Sequence, residues 1–131
     1  MGPYFFTMIH HLSVGVTDIE RSAGFYDAAL APLGYVRVWE DETAVGYGQV
    51  GGGDKFAIRL TAGVALAHSP LSHIAFAAPT REAVVAFYRE AMAHGGKDDG
   101  RPELCPEYGD RYFAGFVYDP DGYRVEAVIN S

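Results

Sequence analysis

The chain repeats itself. With His11 laid on His73, residues 11–34 (HLSVGVTDIERSAGFYDAALAPLG) run in register with residues 73–96 (HIAFAAPTREAVVAFYREAMAHGG), so that Glu20 meets Glu82, Phe25 meets Phe87, Tyr26 meets Tyr88, Ala29 meets Ala91 and Gly34 meets Gly96. Register kept over that span marks two copies of one supersecondary unit, neither of which can bury its apolar face alone. A chain of 131 residues is close to the usual size of one compact domain. The repeat therefore divides a single domain, residues 1–131, into two modules at about residues 8–61 and 71–130.

Each copy opens on a short run of small and apolar residues, HLSVGV or HIAFAA, with the length of a buried strand. A helix follows. Asp18 and Thr80 stand at the N-cap positions. Ile19, Ser22, Ala23, Tyr26, Ala29, Leu30 and Leu33 recur at helical spacing in the first copy, as do Val84, Val85, Tyr88, Ala91 and Met92 in the second. Gly34 and the Gly95-Gly96 pair end these helices, where positive φ is needed. Strand-like segments come next: YVRVWE, AVGYGQV and KFAIRL in the first half, RYFAGFVY and YRVEAVI in the second. GGGD (residues 51–54) and DPDG (residues 119–122) separate them as hairpin turns. KDDGRPELCPEYGD reads as a loop that replaces all but a short or irregular strand. The expected fold is α+β, two βαβββ modules forming a curved, trough-like mixed sheet with the helices on the outside. The trough is the natural place for a small-molecule site.

Charge narrows the partners. A formal net charge of -7, with ten scattered Lys and Arg, repels a phosphate backbone, so no nucleic-acid partner is expected. MGPYFFTMI lacks a positive leader and is far shorter than the roughly 20 residues of a membrane span, which points to a soluble, cytoplasmic protein without a membrane partner. Residues 1–7 read either as an appended segment before Met8 or as an extra edge strand. Cys105 is the sole cysteine, which fits a reducing compartment and an inert thiol. GYGQVG (residues 46–51) has the spacing of a dinucleotide-binding loop, but it runs into another strand instead of a helix and carries no such meaning.

His11 and His73 hold equivalent places at the start of equivalent strands, and the pseudo-twofold repeat is expected to bring them together in the trough. Glu126 sits in an apolar strand, where a buried carboxylate must be ion-paired, metal-bound or neutralised. Two imidazoles and a carboxylate suit a divalent Fe, Mn, Ni, Co or Zn ion and leave coordination positions open. His10, adjacent to His11 in an extended run, faces the other way; His68 and His94 read as solvated.

HHLSVGVTDIERSAGFY, LSHIAFAAP and FVYDPDGYRVEAV resemble the first-strand His, mid-chain His and C-terminal DPDG-x-x-x-E patterns of the vicinal oxygen chelate superfamily, which includes glyoxalase I, extradiol dioxygenases, fosfomycin-resistance transferases and bleomycin-resistance proteins. The resemblance implies His11, His73 and Glu126 as metal ligands, a small oxygenated substrate, lyase, isomerase or ring-cleaving dioxygenase chemistry, and modules completed or exchanged in a homodimer. It also implies a fourth ligand, a Glu, on the strand matching KFAIRL in glyoxalase I; the residue aligned with it here is Arg59, which cannot ligate. Arg59 and Tyr118 are the candidates for electrostatic or proton-transfer help, and Tyr47, Tyr108, Tyr112 and Arg111 for substrate binding. If Asp119 pairs with Tyr123, Phe116 lies opposite Glu126 and Tyr118 shares its face. The rival reading pairs Arg59, at the pseudo-equivalent position of the first module, with Glu126 and leaves a metal-free small-molecule binding protein of the bleomycin-resistance type.

Overall fold

The computed structural model describes residues 8–62 and 71–131. His68 lies outside them. The first module comprises β1 (Leu12–Val16), α1 (Ile19–Leu30), a 3₁₀ turn (Ala31–Leu33), β2 (Val36–Glu40), β3 (Ala44–Gly48) and β4 (Phe56–Leu60). The second comprises β5 (Ile74–Ala77), α2 (Arg81–Ala93), β6 (Lys97–Leu104), β7 (Tyr112–Tyr118) and β8 (Arg124–Asn130). The expected pair of βαβββ units is what forms: two four-stranded mixed sheets, ordered β1-β4-β3-β2 and β5-β8-β7-β6. In each, the first strand runs parallel to the last, and the remaining pairs are antiparallel.

Local chemistry sets the helix ends. The Asp18 side chain accepts a hydrogen bond from the Arg21 amide, and Thr80 accepts one from the Ala83 amide, each cap contributing about 1 kcal/mol. Gly34, at φ 93°, closes the first helical segment. The stripe on α2 is rotated from the sequence reading: Ala83, Val84, Phe87 and Ala91 are buried, whereas Val85 and Met92 are exposed.

KDDGRPEL is no loop. It forms β6, an edge strand of eight residues whose pairing with β7 shifts register around Gly100. Bulges at an edge accommodate Gly100, at φ 147°, and Pro102, which rests on Gly115 of β7.

One apolar core spans both modules. Val16, Phe25, Tyr26, Tyr47, Phe56 and Ile58 from the first half join Val84, Phe87, Val117, Val125 and Ala127 from the second, α1 packs against α2, and the rings of Phe56 and Phe76 meet edge to face with centroids 5.2 Å apart. The helices thus cover the core-facing side of each sheet. The opposite side of each is left for the trough.

The DPDG turn does more than reverse the chain. Buried Asp119 accepts hydrogen bonds from the Tyr26 hydroxyl of the other module and from the amides of Asp121 and Tyr123. Asp121 accepts from Thr17 Oγ1 at 2.7 Å, Arg21 Nη2 at 2.9 Å and Ser22 Oγ at 3.1 Å. Tyr123 donates to the Gly15 carbonyl at 2.9 Å. Together these bonds tie the last hairpin to the start of α1. No helix among the described residues is long and apolar enough to cross a membrane.

Candidate metal and substrate site

On β8, Val125 and Ala127 point into the core, so strand alternation sends Glu126 to the trough face. Its neighbours across the sheet are Ala75 of β5 and Phe116 of β7, and Tyr118 lies opposite Arg124. This is the register that the Asp119–Tyr123 pairing predicts. Glu126 is only 1% exposed, and a carboxylate so placed needs partners. It has two. His73 Nε2 lies 2.9 Å from Oε1 and the Tyr112 hydroxyl donates to Oε2 at 2.7 Å. Burial, followed by the bond to Glu126 and its charge, pushes the Tyr112 phenol well above its ordinary pKa. His73 remains largely open to solvent at its other edge, where Nδ1 is 3.5 Å from the Leu71 carbonyl oxygen.

Aromatic groups surround this pair. The Tyr108 ring, itself exposed, leans on Tyr112 with centroids 5.3 Å apart, and Arg124 on the Glu126 face is paired through Nε with Asp99 at 2.9 Å. Arg111 is exposed on the turn before β7. Cys105 is buried nearby; its burial, then the charges of Glu107, Glu103 and Glu126, raise the thiol pKa, as befits an inert group.

The other expected site residues lie in the first module. His11 precedes β1 and, by alternation, shares the trough face of that sheet with Ser13 and Gly15; its imidazole meets that of His10, Nδ1 to Nδ1, at 2.9 Å. Within one chain it does not join His73 and Glu126, and no group of three His, Cys, Asp or Glu gathers among the described residues. The pseudo-symmetry of one chain, expected to assemble all three, does not bring them together. In each sheet the face that carries His11 or Glu126 is the one opposite the side packed on the shared core.

Arg59 also needs correction, on two counts. It does not pair with Glu126 in the chain, because its guanidinium lies over Trp39, 5.6 Å from the ring centroid. Nor is it the counterpart of Glu126. Glu126 lies opposite Ala75, two residues after His73, and the residue opposite Ser13, two after His11, is Ala57. Arg59, opposite Gly15, corresponds to Val128, opposite Ala77. A buried alanine therefore stands where the second module has its carboxylate. Tyr47 is a core residue, its hydroxyl bonded to Asp27 at 2.9 Å and its pKa raised mainly by burial.

A cleft of about 550 Å³ opens between the modules beside Leu12, Leu30, Tyr35, Phe56 and Phe76. Tyr47 lines it, but His11, His73 and Glu126 do not. The His73–Glu126 pair and this cleft are in different places.

The sequence pattern of the Glyoxalase/Bleomycin resistance protein/Dioxygenase superfamily matches residues 8–127. A glyoxalase/bleomycin resistance protein from Albidiferax ferrireducens T118 is similar in structure, with a TM-score of 0.76 and 28% identity over 93% of this chain and 98% of that one. A glyoxalase-related enzyme from Fulvimarina pelagi gives a TM-score of 0.71 at 23% identity, over 95% of this chain and 89% of that one. A mutant of the fosfomycin resistance protein FosX from Listeria monocytogenes, complexed with Mn(II) and 1S,2S-dihydroxypropylphosphonic acid, gives 0.67 at 16% identity, over 97% and 93%. No curated protein matches the sequence.

Proposed function

Since the chain belongs to the Glyoxalase/Bleomycin resistance protein/Dioxygenase superfamily, we propose that it is a metal-dependent enzyme acting on a small oxygenated substrate, with His73 and Glu126 of one copy and His11 of a second holding a divalent ion. One observation carries this reading: the 2.9 Å between His73 Nε2 and Glu126 Oε1. Two adjacent ligand atoms, each ~2.1 Å from one ion and at right angles, lie about 3 Å apart. The pair is therefore spaced either for a shared proton or for a shared cation, and its mixed nitrogen and oxygen donors suit Fe, Mn, Ni, Co or Zn.

The third ligand is where the second copy enters. Among the described residues, β1 bonds only to β4 and β5 only to β8, so each of these two strands has an open edge. Pairing β1 of one copy beside β5 of another would join the sheets into a trough and carry His11 to the face of Glu126. Arg59 is on that same face of the first sheet by alternation, and would enter with it. The homodimer is thus part of the proposal.

When bound, the ion supplies Lewis acidity toward a substrate oxygen. The protein's own groups do the rest. Glu126 supplies negative charge from a buried position, His73 keeps its ring at the site mouth, Tyr108 offers an aromatic surface, and Tyr118 and Arg59 are the groups available for proton transfer or for holding developing charge. Glyoxalase-like isomerisation and ring cleavage of a catechol are the reactions to assay first. The Mn(II) in FosX supports a metal in this fold.

A second reading has its own support. His73 and Glu126 already satisfy each other, as they would in a metal-free binding protein of the bleomycin-resistance type. Elemental analysis of protein purified without chelator and reconstituted with each metal separates the two. Near-stoichiometric metal that is lost in Glu126→Ala is expected; failure to retain any of the five metals would leave the binding protein.

A further inference from the structure

Glu126 has two oxygens, and the proposed metal uses one. We infer that Tyr112 is a positioning residue that confines Glu126 to one-oxygen coordination and so keeps a coordination position open for substrate. This inference rests on the metal reading of the same site. Oε1 faces His73 at 2.9 Å while Oε2 is engaged by the Tyr112 hydroxyl at 2.7 Å. An ion placed between His73 and Oε1 replaces only the proton they share. The bond from Tyr112 is left in place.

Strand register does not force this bond. Glu126 is opposite Phe116, and Tyr112 is opposite Asn130, four residues further along the ladder. The tyrosine leans along the sheet to reach the carboxylate. Its backbone is fixed where β7 begins: the carbonyl accepts from the Cys105 amide at 2.7 Å, the amide donates to the Gly109 carbonyl at 3.3 Å, and Tyr108 flanks the ring. A half-buried phenol held in this way supplies one directed donor to a carboxylate that is almost wholly buried. Among the described residues, no buried side-chain oxygen or nitrogen lacks a partner. Removing the hydroxyl would release Oε2, and the ion that Oε1 already holds is a positive charge within its reach. The carboxylate then chelates through both oxygens and fills the position reserved for substrate.

Cobalt(II) is the probe, since its visible absorption weakens as coordination rises. In the Tyr112→Phe variant the visible bands of the Co(II)-loaded protein are expected to lose intensity, with affinity for Co(II) reduced roughly 10-fold, at the low end of the usual effect of losing an outer-shell partner. Tyr88→Phe, which removes a hydroxyl on α2 that bonds Asp98, should leave the wild-type spectrum. X-ray absorption on the Zn(II)-loaded wild type provides a check independent of any variant and should show a one-oxygen carboxylate. An unchanged Co(II) spectrum in folded Tyr112→Phe, even with weaker affinity, or a two-oxygen carboxylate in the wild type, would overturn the role of Tyr112 alone. A wild type that binds neither metal overturns the metal reading and this inference with it.

Discussion

The two modules carry the same fold and opposite chemistry. On the trough face of the second, Glu126 lies opposite Phe116 and is held by His73 and Tyr112. At the matching rung of the first, Ala57 lies opposite Gly46. Trp39 packs directly over that glycine, and Arg59 covers the indole. A repeat of one architecture thus has a histidine in both copies, while one face carries a buried carboxylate and the other is closed by an indole. The first module contributes His11 and a wall; the second contributes the charge.

The largest effects should come from the polar half. Glu126→Ala should lower metal affinity by at least about 100-fold, since it removes a proposed ligand directly, where losing an outer-shell partner costs 10–100-fold. Equilibrium dialysis measures this. Next comes the tie between the halves. Asp121→Ala removes the acceptor shared by Thr17, Arg21 and Ser22, and loss of charge-assisted bonds from a side chain that is 3% exposed should cost about 2–3 kcal/mol in urea unfolding. An unchanged midpoint would show that the modules cohere through the apolar core alone.

The wall can be tested at Gly46. A Cβ there would clash with the Trp39 indole at Nε1, so Gly46→Ala should destabilise the chain by about 1–3 kcal/mol as the indole is displaced. If stability is unaffected, Trp39 does not seal the first trough face.

A smaller effect depends on pH. Burial raises the Asp119 carboxyl above its ordinary pKa, more than the bonds from Tyr26 and the amides of Tyr123 and Asp121 lower it. The folded protein consequently binds this proton more tightly than the unfolded chain, and the contribution to stability falls as pH rises from the ordinary carboxylate value, about 4, through the raised folded one. Relative to Asp119→Asn, the wild type should gain stability as pH is lowered through that window. Thermal unfolding across pH would expose the opposite slope if burial were not the dominant influence.

Much of this was legible in the sequence, and the failures have physical causes. The caps Asp18 and Thr80 and the register that sets Phe116 against Glu126 follow from local chemistry and the repeat. β6 was hidden because Gly100 and Pro102 have the composition of a loop, and an edge strand tolerates both. Arg59 was mistaken for the counterpart of Glu126 because loops of unequal length precede the last strand of each module, and only the pairing partners reveal equivalence. The DPDG aspartates announced a turn. Nothing local announced that the same side chains bind across to α1, because that contact depends on how the modules dock. The separation of His11 from Glu126 has the same origin.

Subunit mixing tests most directly whether the proposed site is divided between two copies. His11→Ala and His73→Ala proteins should each bind metal weakly. If the site is shared, a hybrid of the two places an intact His11 beside an intact His73 and Glu126 once, and co-refolded protein should recover one tight metal site per hybrid dimer. Recovery of no tight site after demonstrated subunit exchange, or one tight metal on a wild-type monomer, would contradict the account.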